Sequence, residues 1–165
     1  ADGLARLLAP ILPMTADEMW ARLPGAREAS VHLALFPRSP ESWLDGTLEL
    51  RWEALARVRR AVNEKLELAR GEKRIGAPLT AHVTLTVGDE AVHNLLKAEE
   101  ADLPMLFIVS GVTLQQTADQ ATALEVDVAH ASGEKCPRCW RYVPALVSVG
   151  EGERVCPRCE EAVRA

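Results

Sequence analysis

Outside two short tetrapeptides this chain of 165 residues has no cysteine, and no apolar run in it approaches the length of a membrane-spanning helix. It lacks the basic and hydrophobic opening of a secretory signal, and it has no internal repeat or low-complexity segment. There is no glycine-rich phosphate loop and no credible Ser/His/Asp grouping. These absences argue against a transmembrane helix and against a disulfide-stapled secreted scaffold, and they leave no recognisable catalytic constellation. A cytoplasmic location is expected. With 48% hydrophobic and 26% charged residues, the composition is that of a globular protein with one core or two small ones. A net charge of −5 argues against bulk nucleic-acid binding, yet residues 51–74 hold eight Arg or Lys against four Glu. The chain opens on Ala1 rather than Met, directly on an apolar helical pattern, which suggests a piece of a longer polypeptide.

The four cysteines form two copies of one motif, Cys136-Pro137-Arg138-Cys139 and Cys156-Pro157-Arg158-Cys159, with sixteen residues between the pairs. That spacing suits two knuckles meeting around one tetrahedral ion, and cysteines two residues apart pair poorly as disulfides. Zinc is the expected metal and iron the rival. Four thiolates leave no position for water or substrate, so the ion is expected to be structural. A rubredoxin-like iron site places glycine after the second cysteine of each knuckle; Trp140 and Glu160 stand there instead. Residues 142–155 alternate briefly and turn at Gly150 to Gly152, as a hairpin does. About 30 residues cannot bury enough apolar surface to hold themselves, so the metal supplies the missing folding energy.

The rest reads as α+β. Leu4, Leu7, Leu8, Ile11 and Leu12 form an apolar helical pattern interrupted by Pro10 and Pro13. Thr15-Ala16-Asp17-Glu18 is expected to be a capping box opening a helix that carries Met19, Trp20 and Leu23. Residues 30–37 are expected to run extended into a loop ending near Gly46. Leu48, Trp52, Leu55, Val58, Val62, Leu66 and Ala69 then recur at helical spacing and predict one long amphipathic helix closed by Gly71. Beyond Gly76 the period changes to two: residues 82–87 predict a strand, 90–98 a short helix, 106–110 a buried strand continuing through 111–115, and 124–128 another strand. The expected domains are 1–76, helical; 77–132, a small α+β subdomain; and 133–165, a zinc finger with four cysteine ligands.

Several stretches together resemble a known family. Leu12-Pro13-Met14-Thr15-Ala16-Asp17-Glu18-Met19-Trp20 is similar to the Pro-His-Thr-Ala-Glu-Glu-Ile-Trp stretch in the helical anticodon-binding domain of class I synthetases for branched aliphatic amino acids, with Met14 in place of the usual histidine. Ser30-Val31-His32-Leu33 with Phe36-Pro37, Glu72-Lys73-Arg74-Ile75-Gly76 and Phe107-Ile108-Val109-Ser110 resemble segments C-terminal to that stretch in the bacterial isoleucyl-tRNA synthetases. Residues 133–142, from Gly133 through both cysteines of the first knuckle to Tyr142, are similar to the start of that family's C-terminal zinc finger. The resemblance implies a C-terminal segment that helps to hold tRNA, beside a catalytic domain whose His-Ile-Gly-His and Lys-Met-Ser-Lys-Ser signatures this sequence lacks. It further implies isoleucine-accepting tRNA and the rest of the synthetase chain as partners, with no DNA and no membrane, and ATP as a substrate of the whole enzyme only.

The individual residues carry competing readings. Trp20 and Trp52 lie on apolar helical faces and are expected in the core, and Trp43 is expected to cover helix ends. Trp140, between Arg138 and Arg141, either packs on the finger or stacks on an RNA base. Arg57, Arg60 and Arg70 are the back of a helix with Glu64 and Glu67 as stabilising partners, or a basic face. Lys73 and Arg74, just past the helix end, are candidates for phosphate contact. His32, His82, His93 and His130 are scattered and not needed as ligands. Two other readings use the same cysteines: the finger of a formamidopyrimidine-type DNA glycosylase, which needs a catalytic N-terminal proline where Pro10 is internal here, and a zinc ribbon that docks another protein.

Overall fold

The computed structural model describes residues 1–119, 122–150 and 152–164. Glu151, in the expected turn of the finger hairpin, lies outside them. The chain divides into two compact units, 1–46 and 47–165.

In the first unit, helices α1 (Asp2–Leu8) and α2 (Pro13–Arg22) are followed by a single 3-10 turn at Val31–Leu33. Its core is small: Ala5, Ala9, Ala16, Trp20 and Val31 are buried, with Leu8, Met19, Leu23 and Ala34 packed around them. Trp20 is buried as its helical position predicted, its Nε1 donating to Glu28 O at 2.8 Å. The Arg27 and Arg6 guanidinium groups lie 4.8 and 5.4 Å from its ring centroid, within cation–π range. Four expectations fail here. Small Ala5 and Ala9 occupy the packed face, leaving Leu4, Leu7, Ile11 and Leu12 exposed. Helix α2 begins at Pro13 with no side-chain cap, because Pro needs no N–H partner in the first turn; Thr15 is therefore inside the helix and forms no capping box. Asp17 instead accepts from Ser30 Oγ (2.6 Å) and Val31 N (3.0 Å), which winds residues 31–33 into the 3-10 turn where extended chain was expected. Trp43, in a second 3-10 turn (Glu41–Trp43), is 76% exposed rather than packed over helix ends.

The second unit is built on α3 (Gly46–Gly71) and a three-stranded sheet of order β2-β1-β3, with β1 at Ala81–Val87, β2 at Gly111–Gln116 and β3 at Glu125–His130. β1 pairs parallel to β2 and antiparallel to β3. The period of two is realised in β1: Ala81, Val83, Leu85 and Val87 are fully buried, while His82, Thr84 and Thr86 are half-buried. They join Leu55, Val58, Val62, Leu66 and Ala69 of α3 in one core. The first two turns of α3 are solvent-exposed, so Leu48 and Trp52 leave the expected core positions; Trp52 is 53% exposed.

Helix α3 does not close on Gly71 alone. Lys73 N donates to Arg70 O and Arg74 N to Ala69 O, a Schellman turn that puts Lys73, not a glycine, at φ 60°. Between β1 and β2 run α4 (Glu90–Ala98), capped by Asp89 accepting from Val92 N, and a single helical turn, α5 (Leu103–Leu106). The strand expected over 106–110 is thus replaced by a helix end: Ile108 N donates to Met105 O and Val109 N to Pro104 O, again a Schellman turn, with Ile108 at φ 59°. Phe107 and Val109 are buried all the same, which is why the segment reads as apolar.

Candidate metal centre and nucleic-acid interface

The first cysteine pair sits in a turn between β4 (Glu134–Lys135) and β5 (Tyr142–Val143), which pair antiparallel. The second lies between β7 (Glu153–Val155), which pairs with β6 (Val147–Gly150), and α6 (Pro157–Arg164), whose first turn contains Cys159. Gly133 leads into the first of these turns. At φ +99° any side chain would be strained, and a Cβ there would collide with Val143 O.

The two turns bring the sulfurs of Cys136, Cys139, Cys156 and Cys159 within 4.8 Å of one another, and Cys139 Sγ lies 3.6 Å from Cys156 Sγ. A tetrahedral zinc with Zn–S near 2.3 Å needs sulfurs about 3.8 Å apart, so the cluster has the size for such an ion. Its electrostatics point the same way. Burial pushes the Cys156 thiol up to about 12, helped by the neighbouring cysteine sulfurs, and burial also raises Cys139. Burial acts upward on Cys136 as well, but backbone N–H groups of Cys139, Cys156 and Arg138 outweigh it and bring that thiol down to about 6. The Cys156 N–H donates to Cys136 Sγ at 3.3 Å. One sulfur, that of Cys136, is thus favoured as thiolate while burial opposes negative charge on Cys139 and Cys156, a conflict that a dication relieves. All four donors are cysteine sulfurs, a closed and soft set suited to a structural ion. Among the described residues these cysteines are the one group of His, Cys, Asp or Glu able to hold a metal; His82 instead meets Thr113 Oγ1 (2.8 Å), and His130 packs edge-on against Tyr142.

Trp140 follows the first knuckle. Its N–H donates to Cys136 O, its φ is 65°, and its side chain is 61% exposed. The knuckle therefore demands the left-handed backbone in which glycine is usual, and this chain places an indole there, held out in solvent. Lys135 Nζ lies 5.9 Å from the ring centroid. Arg138 and Arg141 flank the residue in sequence, and among the described residues neither has an ion-pair or side-chain hydrogen-bond partner.

The helix-end cations are placed differently. Arg74 pairs with Glu72 (2.7 Å) and donates to Val128 O on β3, tying the helix end to the sheet, whereas Lys73 is exposed and unpaired among the described residues. On α3, Arg70 pairs with Glu67, as a helix-stabilising reading of that face expects. Sequence reading missed two features. One is the Ser110 hydroxyl, which donates to Leu79 O and accepts from Tyr142 N at 2.7 Å, joining the sheet to the finger. The other is a cavity of about 410 Å³ beside the knuckle, lined from both α5 and the finger. Neither leaves a periodic signal, because each depends on residues some 30 positions apart.

The model of the anticodon-binding domain of tRNA ligase matches residues 1–85, and that of the zinc finger found in FPG and IleRS matches residues 133–162. The chain belongs to the anticodon-binding-domain family of tRNA ligases, with an FPG/IleRS-type zinc finger. It is 42% identical over 164 residues to isoleucine--tRNA ligase of Staphylococcus haemolyticus, covering 98% of this chain, and 42% identical over 164 residues to that of Syntrophotalea carbinolica, covering 96%. Over 168 residues it is 40% identical to the isoleucine--tRNA ligase of Brachyspira hyodysenteriae, covering 99%. In each case the chain spans 18% of the relative's length.

Proposed function

We propose that the chain is the C-terminal tRNA-binding portion of a cytoplasmic isoleucine–tRNA ligase, an enzyme that joins isoleucine to its tRNA with ATP. In this reading residues 1–76 and 133–165 contact the anticodon arm, residues 77–132 connect them, and catalysis belongs to the rest of the synthetase chain. Cys136, Cys139, Cys156 and Cys159 hold one structural zinc, which fixes the two knuckles when bound. The observation that carries the reading is the junction of an anticodon-binding-domain match with a four-sulfur knuckle displaying an exposed Trp140. The glycosylase reading shares the finger but not the match over residues 1–85.

An indole held in solvent offers a π-face to an unstacked base, and Arg138 and Arg141, with no ion-pair partner among the described residues, offer charge to phosphates. Trp140, Arg138 and Arg141 on the finger, with Lys73 and Arg74 at the helix end, are the proposed contacts. Lys73 is free to move toward a phosphate; Arg74 has to exchange its Glu72 partner to do so. Binding of isoleucine tRNA is then expected to weaken as salt rises, through counterion release. Trp140→Ala should cost about tenfold in affinity, a lost base stack being worth roughly 1–3 kcal/mol, with zinc content unchanged. In the full-length enzyme the same change should impair tRNA charging and spare isoleucine activation by ATP. Equal loss in both half-reactions marks global destabilisation, and loss in neither makes Trp140 a packing residue.

A further inference from the structure

The cavity beside the knuckle has a composition that the metal centre does not require. Met105 and Ile108, 63% and 52% exposed, form an apolar shelf with Pro104, while Arg141 and Arg158 supply cations from the finger and Asp102 a carboxylate from the start of α5. Among the described residues neither arginine nor Asp102 has an ion-pair partner, although all three line one cavity of about 410 Å³.

Backbone conformation at this rim adds a second, independent observation. Among the described residues three non-glycine positions have positive φ, and two of them are here: Ile108 lines the cavity, and Trp140 stands between the lining residues Cys139 and Arg141. The Schellman turn and the knuckle each demand the left-handed backbone, but neither demands these side chains. A β-branched residue there is a marked outlier, and glycine would satisfy both turns without strain. In both places the strained residue holds a large apolar side chain out in solvent, an arrangement that packing does not explain and ligand contact does.

We infer that the cavity between α5 and the first knuckle is a subsite for one unstacked RNA nucleotide, its base on the Ile108 and Met105 shelf and its phosphate on Arg141 and Arg158. The volume suits a single nucleotide rather than a helical stem. An apolar shelf beside cations fits a base with its attached phosphate better than a free anion, which has no use for the shelf. Asp102 accepts only, so it faces a donor edge such as an exocyclic amino group and disfavours a second phosphate. The inference rests on the RNA-binding reading above, and it adds a second base position next to that of Trp140.

The test uses the zinc-loaded chain and a stem–loop RNA carrying the isoleucine anticodon, with 2-aminopurine placed at each loop position in turn. One loop position other than that served by Trp140 should change fluorescence on binding, and Ile108→Gly and Met105→Ala should each abolish that change. Both should weaken binding by about tenfold, the worth of one lost base contact. Ile108→Gly relieves the left-handed strain, so its thermal stability should equal or exceed that of the parent chain, which separates lost binding from lost folding. Arg158→Ala should weaken binding and lower the slope of log affinity against log salt by about one. Wild-type binding with unchanged affinity and unchanged fluorescence in the shelf variants overturns the subsite and leaves the RNA-binding role standing. A wild-type chain that binds no RNA removes both. Binding of inorganic phosphate alone, with equal affinity in wild type and in Ile108→Gly, would make the cavity an anion site and refute the nucleotide assignment.

Discussion

The sheet body and the metal finger belong to one compact unit, yet different interactions hold each of them. The body buries aliphatic side chains from α3, β1, β3 and both connecting helices in a continuous core, with Leu85, Leu96 and Leu103 fully shielded and Val112 and Leu114 of β2 packed against it. The finger buries Val155 and three of its cysteines, and little else. In the body, stability is spread over many apolar contacts, and deleting any one leaves the rest. In the finger the buried set centres on the cysteines, and the proposed zinc is expected to supply much of the folding energy. Ser110 and the His130–Tyr142 ring contact stand between the two.

The sharpest way to separate the regions is to remove the metal. Chelation, or Cys136→Ser, should withdraw apparent folding energy on the order of 10 kcal/mol from the finger. Amide spectra should lose dispersion from about residue 134 onward while signals of β1, β2 and β3 persist; collapse of both together would show that the finger is a keystone of the body. The converse change is Leu85→Ala, which leaves a cavity at the centre of the sheet and should cost about 2–5 kcal/mol in urea unfolding. Zinc per chain should stay at one under native conditions.

Ser110→Ala attacks the joint itself. It leaves the Tyr142 N–H without its acceptor and should cost about 1–3 kcal/mol, read as faster amide exchange at the start of the finger with little change in β1. Equal exchange in parent and variant would mean that the finger docks by other contacts. Trp140→Gly acts in the opposite direction. Relief of its left-handed strain should stabilise the loaded finger by about 1 kcal/mol, while RNA affinity falls. A variant that is both less stable and metal-poor would return Trp140 to a packing role.

The smallest effect lies in the first unit, whose little core leans on a polar anchor. The Ser30 hydroxyl, and then the Val31 N–H, hold the Asp17 carboxyl below its ordinary value of 3.8. A depressed folded pKa means that this stabilisation is present above the unfolded value and is lost as pH falls through the folded one. Acid should therefore loosen α2 from the 3-10 turn, followed by NMR signals of Trp20 and Val31. Asp17→Asn should make that unit less stable at neutral pH and flatten its response to acid.

Legibility in the sequence followed the range of the interaction. The α3 pattern from Leu55 to Ala69, the alternation of β1 and the short helix over residues 90–98 were readable because each is a local pattern within one element. Failures came where a second surface chose. Residues 106–110 are apolar and suit a strand, but Pro104 in the first turn of α5 and the Schellman turn after it make them a helix end whose buried members are Phe107 and Val109. Trp52 is in helical register with Leu55, yet Leu55 is buried and Trp52 is left 53% exposed.

Taken alone, the sequence pointed to a structural metal site, because four cysteines in two spaced knuckles admit few other uses, and the fold brings their sulfurs together. It also determined the α+β class, since the change of period at Gly76 is a property of consecutive residues. Only tertiary structure decided which apolar residues are core: Ala5 over Leu4, Val58 over Trp52. It alone decided that Asp17 anchors a distant turn instead of capping its own helix, and that Ile108, Arg141 and Arg158 share one cavity. Periodicity records which side of an element is apolar, but burial requires a facing surface, and that surface comes from residues too far along the chain to leave any mark in the local pattern.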